Sequence, residues 1–198
     1  MTRSAAGEAV TAAAGTRPPM PDNASLNPAQ AAIAEAIVAG PRGKLEGPLA
    51  VWLNSPELAD RAQRLGEFCR YHTALPPQLS ELLILCMAVH WQAGLEWAIH
   101  APIARRAGIG EDVLRALASG EAPVLADPDQ AAVHRFAVEL LERKSVSDAT
   151  YELAVARLGV EAVVEMVGIL GYYGLISMTI RAFNIPVPSG GEDPFCAP

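Results

Sequence analysis

Two residues four apart carry the clearest chemical signal in the chain: Glu96 and His100, within Leu95-Glu96-Trp97-Ala98-Ile99-His100. On a helix this spacing puts both on one face, where a carboxylate and an imidazole can meet. A carboxylate beside an imidazole fixes its tautomer and favours the protonated ring, which is how a general acid or base is oriented. Most pairs at this spacing are solvated surface contacts, and both readings stand on the pair alone. Glu81 is the third candidate, a lone charge ahead of the apolar run Leu82-Leu83-Ile84-Leu85-Cys86-Met87-Ala88. A carboxylate there must be capped, paired or functional. His72 and His90 lie on either side of that segment, and His90 reaches a pocket mouth if the helix breaks near Gly94. A lone histidine is otherwise a satisfied or exposed residue. Tyr172 and Tyr173 read as core or as pocket-lining hydroxyls, and Tyr173 joins His72 and His90 as a substrate-binding candidate. Trp97 reads as packing, His134 as surface. Arg105-Arg106 either attracts an anion or complements a helix C-terminus.

The elements that must position these groups are helices. Asn27-Pro28-Ala29-Gln30, Ser55-Pro56-Glu57 and Asp127-Pro128-Asp129-Gln130 each place a capping residue before a proline at the first helical position, and the first and third add Gln in the manner of a capping box. Pro76-Pro77 opens a further helix, and Gly108, Gly120 and Gly159 are stops. The pattern predicts helices near 28–39, 56–71, 77–91, 95–107, 111–118, 128–143, 148–158 and 160–182, with no convincing strand. The expected fold is therefore all-α, a single helical bundle of about eight helices. A flexible arm is expected over residues 1–25, the helical domain over 26–188 and a tail over 189–198. The 160–182 helix is apolar on nearly every face, with Gly168, Gly171 and Gly174 three apart, and predicts a subunit interface beside a core role.

Composition narrows the function classes. The 198 residues are 51% hydrophobic and 19% charged, enough apolar content for a sizeable core. Fifteen Lys and Arg against 22 Asp and Glu give a net charge of −7, which disfavours nucleic acid and anionic membranes as partners. The uncharged stretch from Met166 to Ile180 is shorter than the roughly 20 residues of a span and reads as a buried helix. Three scattered cysteines, Cys69, Cys86 and Cys196, with no CxxC and no zinc spacing, predict reduced thiols in a cytoplasmic protein. The first residues carry no apolar h-region of a secretory signal.

Over several segments the chain resembles the carboxymuconolactone decarboxylase family, whose fold is shared with the alkyl hydroperoxide reductase D-type proteins. The resemblance runs from about Gly47 to Pro188. It rests on Ser55-Pro56-Glu57-Leu58, Leu75-Pro76-Pro77 leading to Glu81, Glu96-Trp97 with His100, Ala107-Gly108, Val164-Glu165-Met166-Val167 through Gly171-Tyr172-Tyr173, and Phe183-Asn184-Ile185-Pro186-Val187-Pro188. The family's redox branch uses Glu, two cysteines and His at offsets that fall here on Glu81, Ala93, Glu96 and His100. A thiol–disulfide cycle needs an attacking and a resolving thiol, so Ala93 and Glu96 exclude that route, and the chain is similar to the decarboxylase-type branch.

The resemblance implies a cofactor-independent lyase, with no metal, acting on a small oxygenated carboxylate or lactone of the kind met in aromatic-compound catabolism. It further implies His100 as proton donor and acceptor, Glu96 as its orienting partner or second acid/base, and Glu81 as a supporting carboxylate. An isomerase, hydrolase or retro-aldol lyase using the same pair, and a non-catalytic helical assembly protein, are the alternatives. A homotrimer or homohexamer is expected. His100→Gln is expected to lower kcat with little change in melting temperature.

Overall fold

A computed structural model describes Arg17, Pro21 and residues 25–196. Helix α1 spans Pro28–Ala39, α2 Pro48–Trp52, α3 Pro56–Tyr71, α4 Pro77–Trp91, α5 Gly94–Arg106, α6 Glu111–Ala118, α7 Pro128–Arg143 and α8 Asp148–Ala182. The all-α expectation holds, with no strand among the described residues. Proline at the first turn marks five of the eight starts, because its fixed φ and missing N–H suit that position.

The capping readings fared unevenly. Asn27 and Gln30 form the full reciprocal box, each side chain bonded to the other's backbone N–H. Asp127 instead accepts from Asp129 N–H at 2.8 Å, and Gln130 turns into the interior. Ser55 makes no side-chain cap bond. Helix α2 was not expected: five residues are too few to show a period, and it follows Gly47 with φ 57° as its N-cap. The two helices expected at 148–158 and 160–182 run on as α8 through Gly159, whose φ of 84° and ψ of 162° divide it at the expected stop.

Helix α4 is the centre of the molecule. Every residue from Leu79 to Ala88 is buried, as an all-round apolar helix requires, and α5, α7 and α8 pack around it. The chain leaves α4 through Gln92 in the left-handed region (φ 50°, ψ 45°) and enters α5 at once. That short return lays α5 against α4 and brings Glu81 and His100 together across 19 positions of sequence.

Helix α8 passes the core on one side and is bare on the other. Val160, Val164, Val167 and Met178 are exposed at helical spacing. Of the three glycines, Gly174 is buried against Met87, whereas Gly168 and Gly171 face open space. Among the described residues no helix is long and apolar enough to cross a membrane, which agrees with the reading of Met166–Ile180 as a buried segment.

Described residues toward each end of the chain touch the bundle. The arm expected over 1–25 lies outside the described residues except for Arg17, Pro21 and Ser25, and Arg17 N–H donates to Phe183 O at 2.9 Å. In the segment expected as a tail, Glu192 pairs with Arg105 at 3.1 Å and Phe195 meets the edge of Trp97 with centroids 5.8 Å apart. Ala197 and Pro198 lie outside the described residues.

One close approach ties α3 to α8. A Cβ at Gly66 would overlap the Tyr172 ring and press on the Arg42 guanidinium. Gly66→Ala is therefore expected to destabilise the fold by about 1–3 kcal/mol through overpacking. Denaturant unfolding checks it; an unchanged midpoint contradicts the packing argument.

Candidate active site

Three ionisable side chains meet in the interior. His100 Nδ1 lies 2.7 Å from Glu81 Oε2, and its Nε2 lies 3.1 Å from Glu96 Oε1. Glu81 is 5% exposed, Glu96 3% and His100 2%. Helix α4 supplies Glu81; α5 supplies the other two from one face, as the four-residue spacing requires. Glu96 sits in the first turn of α5, where the unsatisfied N–H groups favour a carboxylate. The imidazole is thus held between two carboxylates in a straight sequence Glu81, His100, Glu96.

Burial alone would lower the His100 pKa, but the two carboxylates outweigh it and raise the ring from 6.5 to about 9. At neutral pH the site therefore holds an imidazolium whose Nδ1–H donates to Glu81. The linkage has a definite sign. A folded-state pKa above the unfolded one contributes stability that is whole below about pH 6.5 and is lost as pH rises through about 9. A shift of that size corresponds to stabilisation on the order of 3 kcal/mol. Unfolding free energy is expected to fall across this window; a flat profile from pH 6 to about 9.5 contradicts the imidazolium assignment.

A cavity of about 550 Å³ opens beside the triad. Glu96 and His100 form part of its wall, while Glu81 lies behind His100, away from the cavity lining. The other parts come from Arg42, Lys44 and Glu46 after α1, from Arg70 and Tyr71 at the end of α3, and from Tyr172, Tyr173 and Ile176 on α8. Ile185, Pro186 and Pro188 close the side after α8. Tyr173 meets the His100 ring edge-on with centroids 5.2 Å apart, and Tyr172 meets Tyr173 the same way. Trp52 backs Tyr172 at 6.3 Å and donates to Thr179 Oγ1 at 3.0 Å, which fixes the wall behind it. Burial pushes the Tyr172 hydroxyl up to about 12 and raises that of Tyr173 well above the ordinary tyrosine range, so both stay protonated.

Not every candidate joins this arrangement. His72 caps the end of α3, half exposed and 3.7 Å from Glu67, outside the cavity lining. His90 is exposed beside Trp91, because α4 continues past it to Trp91 before breaking. Trp97 packs in the core, as read. His134 is half-buried, and burial lowers its pKa. Arg105 is engaged by Glu111 and Glu192, away from the cavity. Besides His100, the cavity's cations are Arg42, Lys44 and Arg70, none of the three singled out by the sequence. Two stand in or beside loops, where no periodicity signals a shared face; the nearest signal is Gly66, the small residue that seats Tyr172 and Arg42.

The three cysteines are free, Cys69 and Cys86 buried and Cys196 exposed, so only the first two are core thiols. Burial raises Cys69 to about 11 and Cys86 to about 12, which leaves both as thiols at neutral pH. Among the described residues no group of three or more His, Cys, Asp and Glu side chains is arranged to hold a metal ion. No model of a known family matches the chain, and a comparison with curated proteins found no match.

Proposed function

We propose that the protein is a cofactor-independent carbon–carbon lyase of the decarboxylase type, acting on a small oxygenated carboxylate or lactone and related to the carboxymuconolactone decarboxylases. The observation that carries this reading is the buried Glu81–His100–Glu96 sequence ending on a cavity large enough for a small ring acid. Loss of CO₂ leaves the bonding electron pair on carbon, where the substrate's own conjugated carbonyl delocalises it. A proton must then reach that carbon. His100 Nε2–H is the source: Glu96, a carboxylate at the cavity wall, takes up that proton and passes it to carbon, and Glu81 holds the ring in place through Nδ1. A proton taken up from solvent recharges His100 and closes the balance. The low-polarity walls built by Tyr172, Tyr173 and Ile176 limit water around the carbanion.

The same relay moves a proton without breaking a carbon–carbon bond, so an isomerase is the competing outcome of the test. A non-catalytic assembly role gives no account of three buried ionisable groups, whose desolvation is costly. Ala93 and Glu96 at the positions of a thiol pair, with both buried cysteines as thiols, argue against peroxidase chemistry. A substrate screen over carboxylated lactones and unsaturated ring acids, followed by CO₂ and aldehyde release with EDTA present, tests the reading. Turnover that needs a metal or a thiol overturns it.

The bare α8 stripe of Val160, Val164, Val167 and Met178 supports a homo-oligomer, a trimer or hexamer by the resemblance. Light scattering is expected to give a multiple of 20.9 kDa, and Val164→Glu to shift it downward. A wild-type monomer at micromolar concentration overturns the assembly. We place the protein in the cytoplasm on its free cysteines.

A further inference from the structure

We infer that Arg42, with Arg70 beside it in the cavity lining, is the anchor for a carboxylate that the substrate keeps through the reaction. The inference rests on the assignment of this cavity as the substrate site and adds the end by which the substrate is held. Arg42 donates from Nη2 to the Tyr172 hydroxyl at 3.2 Å, and its Nε–H is buried without a partner. Arg70 lies over the Tyr71 ring, 5.4 Å from its centre. Among the described residues neither arginine makes an ion pair, in a chain of net charge −7, whereas Lys44 is bound by Glu46 at 2.5 Å. With the imidazolium held between two carboxylates, the empty cavity keeps one net positive charge. A single carboxylate neutralises it.

Placement then follows from charge. Glu96 repels an anion and the arginines attract it, so an anionic group of the substrate is drawn to the arginines. A carboxylate bound to a guanidinium is also a poor one to lose. Its charge is stabilised in the ground state and disappears as CO₂ leaves, so the arginines would slow that step. The group on Arg42 is therefore a handle, and the reacting carbon lies toward Glu96. Tyr172 holds the handle site in place, and Gly66 makes room for both.

The experiment is calorimetric titration with two acids, γ-carboxy-γ-butyrolactone and levulinate, each against its methyl ester, at low and high salt. The acids are expected to bind at least about tenfold tighter than the esters, and the difference to shrink with salt. Arg42→Gln should reduce each acid to the affinity of its ester, with an unchanged melting temperature; Arg42→Lys should fall between. Acids and esters binding alike, acid affinity unchanged in folded Arg42→Gln, or no binding by either acid at millimolar concentration overturns the anchor. Failure of the lyase reading is separate: full turnover by Glu96→Gln ends that reading and leaves these binding comparisons as they are.

Discussion

Glu96→Gln is expected to lower kcat by roughly 10²–10⁴ on the substrate the screen identifies, with the fold intact. The amide cannot pass a proton, yet its oxygen still accepts from His100 Nε2–H. Glu81 remains at 2.7 Å to balance the imidazolium, so one carboxylate still faces one cation in the interior. The loss falls on the transition state, and KM should move little. Combining it with Glu81→Gln should cost less than the product of the two, because the three groups act as a unit. Wild-type kcat/KM in folded Glu96→Gln moves the chemistry elsewhere.

His100→Gln reports on something different. With the ring protonated and 2% exposed, its removal leaves two buried carboxylates and no cation between them. Breaking such an arrangement costs about 3–5 kcal/mol, so the variant is expected to be strongly destabilised at pH 7 to 8. Acid should restore part of the loss, since protonation relieves the stranded carboxylates. Glu81 on the far side of the buried ring replaces the expectation of a nearly unchanged melting temperature, which suits an exposed pair, with this one. Denaturant unfolding at pH 5 and at pH 8 separates the cases: equal stability to wild type at both contradicts the buried ion arrangement.

The helices were legible because their ends are written in local chemistry. Proline at N1, the Asn27–Gln30 box and the breaks at Gly108 and Gly120 act within four residues, and the expected bounds of α1, α3, α4, α6 and α7 match those observed. Helix α2 has the same signal in Pro48, but its five residues are too few to show a period after it. The Glu96–His100 contact was legible for the same reason, being fixed by helical geometry within one element. Glu81 could be flagged only as a charge in an apolar run, because its partner depends on how α5 returns from Gln92. Arg42, Arg70 and Tyr172 meet only in three dimensions, and nothing in their neighbours announces it. His72 and His90 had no spacing to support them, and both end near helix termini facing outward.

The break at Gly159 separates two parts of α8 that differ in burial. Before it, only Thr150 and Ala154 are buried; after it come Met166, Ile169, Leu170, Tyr172, Tyr173 and Ile176. Amide hydrogens in 148–158 should thus exchange through local fraying, and those around Tyr172 only when the core itself opens. The part of the cavity wall that α8 supplies is thus expected in a slow-exchanging unit, while its own helix begins in a fast one. A residue change before Gly159 can alter the rate of fraying there and leave the geometry around His100 untouched.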